Sequence, residues 1–229
     1  MNSKTITREQ LSALFDHSLL KAFSSQEDFK KLCEEARELN CAMVAINSSP
    51  VKWCKEYLKG TSIHVGAAIS FPLGQTTLDV KLYETKKAIE EGADEIDYVI
   101  NIGELKSGNL EYIEEEMRSI VEVCRCHNVI SKVIFENCYL TKEEIIKLST
   151  IAKKVKPDFI KTSTGFGISG AKVEDVKLMK EIVGDDVQVK AAGGIRDWKT
   201  CAAMIDAGAT RIGTSSSFEI LKGFDNDNI

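Results

Sequence analysis

The chain has 229 residues, 43% of them hydrophobic and 28% charged, which suits one soluble domain with a sizeable core. A net charge of −5, with lysines and arginines scattered, argues against a nucleic-acid partner. No apolar stretch approaches the roughly 20 residues a membrane helix needs, and the start, Met1-Asn-Ser-Lys-Thr5, has no hydrophobic segment of the secretory kind.

The elements read in chain order as follows. A short opening helix over 7–14 is capped by Thr7, with Gln10 three residues on. Asp16 to Leu20 is a first strand. Ser25 caps a helix over 26–39, whose apolar face holds Phe29, Leu32, Cys33 and Ala36. A continuous apolar run, 41–47, is the next strand, and Pro50 introduces a helix over 51–58. Strand 62–70 leads to Phe71-Pro72-Leu73-Gly74, then a helix from about Thr77 to Glu91 stops at Gly92. Strand 95–101, a loop over 103–108 and helix 109–127 follow. After strand 131–137, Thr141 and Glu144 form a capping box for helix 142–155. Strands 159–165, 187–192 and 210–214 alternate with helices 173–183 and 197–207, and a short helix closes the chain near Leu221.

Eight strand runs, each followed by a helix or helical turn, predict a (β/α)8 TIM barrel with a short N-terminal helix, one domain over 1–229. The runs are continuously apolar, as strands covered on both faces are. An open doubly wound sheet is the rival, but it would carry an early Gly-x-Gly-x-x-Gly turn, and the first strand has none.

Two strands carry a lysine at their centre. Asp158-Phe-Ile-Lys-Thr-Ser-Thr-Gly165 is punctuated by Pro157 and a Gly-rich turn, and Val187-Gln-Val-Lys-Ala-Ala-Gly-Gly194 repeats the pattern around Lys190. An ammonium buried in a strand is costly unless it is paired or its pKa falls. Strand alternation puts Asp97, Lys132, Glu136, Lys161 and Lys190 on inward faces. A structural ion-pair network would account for the charges. The concentration of lysines at strand centres points instead to an amine kept reactive beside a cation. The glycine turns after the late strands, with Gly165, Gly193-Gly194 and Ser215-Ser216, suit backbone binding of a phosphate, and Arg196 could add charge. His17, His64 and His127 share no ligand spacing, so no metal site is expected. No Gly-x-Ser-x-Gly is present to suggest a serine hydrolase. The seven cysteines, without zinc spacing, read as reduced packing residues of a cytoplasmic protein.

These stretches resemble the deoxyribose-phosphate aldolases, a family of class I (Schiff-base) aldolases. The match runs from Asp16-His-Ser-Leu-Leu-Lys21 through Phe71-Pro-Leu-Gly74, Ala93 to Gly103 and Lys132-Val-Ile-Phe-Glu136. It continues through Phe159 to Gly167, Val189 to Arg196 and Arg211-Ile-Gly-Thr-Ser215. The resemblance implies a barrel that reversibly cleaves 2-deoxyribose 5-phosphate to acetaldehyde and glyceraldehyde 3-phosphate, in the breakdown of deoxyribose phosphates. It implies Lys161 as the Schiff-base lysine, Asp97 and Lys190 as the proton relay, and Lys132 and Asp16 in support. Gly165, Gly193, Gly194, Arg196, Ser215 and Ser216 would hold the phosphate. No cofactor is implied, since the iminium is itself the electron sink. The partner is a sugar phosphate, and the assembly a homo-oligomer, dimer or tetramer. Asn137 stands where a threonine is expected, Phe166 where some members carry a lysine, and Ile168-Ser169 in a loop usually richer in glycine. A class I aldolase with another aldehyde donor, and a phosphosugar-binding barrel without turnover, are the alternatives.

Overall fold

The computed structural model describes residues 2–227. The elements run α1 (Arg8–Ser12), β1 (Phe15–Leu19), α2 (Gln26–Leu39), β2 (Met43–Asn47), α3 (Val51–Tyr57), β3 (His64–Ile69), α4 (Leu78–Glu90) and β4 (Glu95–Val99). Then come α5 (Ile102–Lys106), α6 (Leu110–Cys126), β5 (Ile130–Ile134), α7 (Lys142–Val155), β6 (Phe159–Lys161), α8 (Val173–Val183), β7 (Gln188–Ala192), α9 (Trp198–Asp206), β8 (Arg211–Thr214) and α10 (Ser217–Asp227). All pairings are parallel, in chain order, and β8 closes on β1 through Phe15 with Ile212 and Asp16 with Gly213. This is the expected (β/α)8 barrel with its short N-terminal helix.

Local chemistry accounts for the boundaries. Thr7, Ser25 and Thr141 each accept a backbone N–H three residues on, and Gln10, Asp28 and Glu144 return the bond to complete three capping boxes. The outward strand faces meet the helices in an apolar layer that includes Ile96, Tyr98, Val133, Val189 and Ala191. Each of the Ile and Val side chains contributes roughly 1.5–3 kcal/mol by leaving water. This outer layer leaves the barrel interior free to hold charge.

Two expectations are corrected. Most of residues 103–108, read as a loop, belongs to helix α5, which begins at Ile102: the Asn101 side chain accepts from the Glu104 N–H and caps it, a start signal that Gly103 obscured. Several strands also stop short of their sequence-based ends. β5 ends at Ile134, and Glu136 takes a left-handed conformation at φ 56°. The strict alternation that aimed Glu136 at the lysines therefore breaks there. Its carboxylate accepts from the Thr164 N–H at 3.2 Å and from the Thr164 hydroxyl, so it shapes the loop after β6.

Candidate active site

Successive strands aim charge at one point inside the barrel. Asp97 on β4 is the register partner of Lys132 on β5, and Lys161 on β6 that of Lys190 on β7. Lys132 Nζ donates to Asp97 Oδ1 at 2.7 Å. Lys161 and Lys190 both donate to Asp97 Oδ2, at 2.8 and 2.6 Å. Below this cluster, Arg211 on β8 grips Glu95 with one guanidinium nitrogen at 2.5 and 2.7 Å, and Lys132 pairs with Glu95 as well. Asp16 on β1 is in ion-pair contact with Lys190, and with Arg211 Nε at 3.2 Å. Gly213 makes the convergence possible, because a Cβ there would lie 3.2 Å from Lys190 Cε and 2.9 Å from Ala192 Cβ.

All seven groups are buried. Three carboxylates thus face four basic side chains, and His64 Nδ1 also reaches Glu95 at 2.7 Å. Lys161 is the basic member of this set whose hold on its proton is weakened. Burial pushes its pKa down to about 8; Asp97 opposes the shift, and the Lys190 ammonium adds to it. Lys132 goes the other way: burial disfavours its charge, but Asp97, Glu95 and Asp16 outweigh burial and raise its pKa. Burial likewise works against the Asp97 carboxylate, yet Lys132, Lys161 and Lys190 hold it well below the usual carboxylate range. Buried ion clusters are weak stabilisers compared with apolar packing, so this one is better explained by what it does to Lys161.

Of the network, Lys161 lines a cavity of about 550 Å³ at the C-terminal mouth of the barrel. The same cavity is lined by Gly165, Gly193, Gly194, Arg196 and Ser215, which the fold thereby brings together from three loops. Gly165, Gly193 and Gly194 have φ of 91°, 86° and 76°, a region that favours glycine. Ser216 is not among the lining residues; its N–H donates to Thr214 Oγ1 at 2.9 Å, within its own loop. Phe166 also lines the cavity and meets Phe71 edge-on, with ring centroids 5.5 Å apart. Ile168 is exposed, and Asn137 is buried away from the cavity, its N–H on the Thr162 carbonyl at 2.9 Å.

A family model described as DeoC/LacD family aldolase matches residues 11–222. The chain belongs to the DeoC/LacD aldolase family. It is therefore an aldolase, a lyase that makes and breaks carbon–carbon bonds. A deoxyribose-phosphate aldolase of Lactobacillus acidophilus is 58% identical over 214 residues, covering 93% of this chain and 90% of that one. One of Bacteroides thetaiotaomicron is 50% identical over 216 residues, covering 94% and 91%. Among solved structures, the deoxyribose phosphate aldolase of Aeropyrum pernix, described as a unique tetramer, superposes with a TM-score of 0.89 at 28% identity, covering 96% and 92%. The motif resemblance read from the sequence thus holds over nearly the whole chain.

Sequence reasoning missed two network members of this DeoC/LacD aldolase, Glu95 and Arg211. Glu95 lies two residues before Asp97, so the alternation that aimed Asp97 inward aims Glu95 inward too. Arg211 is the register partner of Lys190, a relation that strand pairing alone supplies. Among the described residues, no helix is long and apolar enough to cross a membrane.

Proposed function

We propose that this aldolase cleaves 2-deoxyribose 5-phosphate reversibly to acetaldehyde and glyceraldehyde 3-phosphate through a Schiff base on Lys161. The observation that carries the reading is a buried amine with its pKa lowered to about 8, on the cavity wall and 2.8 Å from a carboxylate. The names of the bacterial relatives support the substrate.

In this mechanism the neutral Lys161 amine adds to C1 of the open-chain sugar. The carbinolamine loses its hydroxyl as water, with a proton supplied from the Asp97–Lys190 pair, and an iminium remains. Removal of the C3 hydroxyl proton lets the C2–C3 bond break. Its electron pair passes into the iminium to give an enamine, and C3 leaves as the aldehyde of glyceraldehyde 3-phosphate. Protonation of the enamine at C2, then addition of water, releases acetaldehyde and the free amine. Asp97, held strongly anionic, is a weak base alone, so the acid–base unit is the pair it forms with Lys190. Lys132 and Asp16 hold that pair in place.

The phosphate is assigned to the backbone of Gly165, Gly193 and Gly194 and the Ser215–Ser216 loop, with Arg196 supplying charge. A remote phosphate anchored there would orient the reacting end. One domain over the whole chain, a cytoplasmic setting, a role in deoxyribose-phosphate breakdown and a homo-oligomeric assembly complete the proposal. The Aeropyrum pernix tetramer supports the last of these.

The test is reductive trapping. Acetaldehyde with borohydride should leave an ethyl group on Lys161, located by peptide mass spectrometry, and Lys161→Arg should lose turnover because a guanidinium stays protonated. An adduct on Lys132 or Lys190 instead would reassign the nucleophile, and no adduct on any lysine would reject the Schiff base.

A further inference from the structure

His17, outside the charged network, is held on both sides. Its Nδ1 lies 2.9 Å from Ser217 Oγ, and its Nε2 lies 3.0 Å from a Glu35 carboxylate oxygen. The ring is buried and stands edge-on to Phe218, with centroids 6.5 Å apart. A serine, a histidine and a glutamate in this order resemble a hydrolase triad, but Ser217 is fully buried and cannot meet a substrate. A carboxylate only accepts, so Nε2 carries a proton toward Glu35, and Nδ1 shares the second hydrogen bond with the Ser217 hydroxyl. The ring thus joins three elements, β1, α2 and α10.

The joint sits beside the cavity that holds Lys161. His17, Glu35 and Ser215 all line that cavity, and Ser217 follows Ser215 by two residues as the first residue of α10. The neighbouring loop is braced from its other side: Thr214 Oγ1 donates to the Ile195 carbonyl at 2.7 Å and accepts from the Ser216 N–H. Thr214 therefore ties the loop after β8 to the loop after β7. His17 ties the start of α10 back to β1. Ser216 is joined to α10 by the Ile220 N–H on its carbonyl at 3.0 Å, so the second tie fixes where the start of α10, and with it the Ser215–Ser216 segment, sits relative to β1.

We propose that His17 is a positioning residue for the phosphate end of the substrate, acting through Ser217 on the Ser215–Ser216 loop. This rests on the phosphate assignment above. The polar partners of His17 are Ser217 and Glu35, not Lys161 or Asp97, so its contribution falls on phosphate recognition and not on the chemistry at C1.

The experiment measures kcat/KM for 2-deoxyribose 5-phosphate and for unphosphorylated 2-deoxyribose, in the parent and in His17→Ala, Ser217→Ala and His17→Asn. The ratio of the two constants, phosphorylated over unphosphorylated, should fall about tenfold in His17→Ala, through KM more than kcat. Tenfold is about 1.4 kcal/mol, in the range of one lost positioning hydrogen bond. Ser217→Ala should lower the ratio similarly. The Asn amide can occupy the place of Nδ1 and keep the Ser217 bond, so His17→Asn should recover most of the ratio. Inorganic phosphate should inhibit the Ala variants more weakly by a similar factor. An unchanged ratio in both His17→Ala and Ser217→Ala would overturn the proposal alone, even if both constants fell together. A parent enzyme without preference for the phosphorylated sugar would overturn the phosphate assignment and this proposal with it. If His17→Ala does not fold, Ser217→Ala against His17→Asn decides the same question.

Discussion

Lys161 and Lys190 are register partners on adjacent strands, and both amines reach the same oxygen of Asp97. One carboxylate oxygen thus holds a pair of amines side by side that would otherwise repel each other. The arrangement makes the protonation of Lys161 depend on both neighbours, with opposite signs, and this can be measured.

Removing the cation should move the acidic limb up. On the proposed Schiff-base mechanism the neutral Lys161 amine attacks, so kcat/KM should rise with pH through about 8. Lys190 lowers that pKa and Asp97 raises it. In Lys190→Met the limb should therefore shift to higher pH, with turnover reduced at neutral pH. A limb unmoved from the parent would show that Lys190 does not tune the amine.

Removing the anion should move the limb the other way. In Asp97→Asn the three lysines lose their shared counter-charge, so the Lys161 pKa should fall and the limb shift to lower pH. Turnover should drop by about 10²–10⁴-fold, because half of the acid–base pair is gone. Trapping with acetaldehyde and borohydride should still label Lys161. Loss of trapping in a folded variant would mean that Asp97 is needed to form the iminium itself.

The buried Lys161 amine should be a cost to stability. Its pKa falls from 10.5 to about 8 on folding, which disfavours the folded state by about 3 kcal/mol where both states hold the proton. The penalty is full below about pH 8 and fades as pH rises toward 10.5, since only the unfolded state binds the proton in that interval. Lys161→Met should thus be more stable than the parent at pH 7, and the gap should close by about pH 10.5. Denaturant melts at the two pH values check this; a variant less stable than the parent at pH 7 would show that the Asp97 contact outweighs the burial cost.

The two neighbouring glycines should respond differently. A Cβ at Gly194 meets nothing within 4 Å, whereas one at Gly193 lies 3.0 Å from Gly170 Cα and 3.3 Å from Ser163 Cβ. Gly194→Val should fold with a loss of about 1–3 kcal/mol for the positive φ, and raise KM for the phosphorylated sugar far more than for the unphosphorylated one. Gly193→Val should displace the loop at Gly170 and lower both thermal stability and activity on either sugar. Equal effects of Gly194→Val on both sugars would remove that loop from phosphate binding.

The sequence by itself determined the barrel class, the helix starts at Thr7, Ser25 and Thr141, and the choice of Lys161, Lys190 and Asp97 as the residues to watch. These are local matters: caps act over three residues, and a lysine inside an apolar strand is anomalous wherever the strand ends up. Alternation also told which face each side chain takes, but only while the strand stayed regular, which is why Glu136 was misdirected once φ turned positive. Tertiary structure alone decided the partners. Asp97 meets Lys161 and Lys190 across 64 and 93 residues of chain, and Glu95 meets Arg211 across 116. Barrel closure sets β1 beside β8, which brings Asp16 to Arg211 and His17 to Ser217. Distances across a closed sheet depend on register, stagger and the space left by Gly213. None of these is a property of a segment read alone, so the burial and the neighbouring charges that lower the Lys161 pKa emerge only when all eight strands are in place.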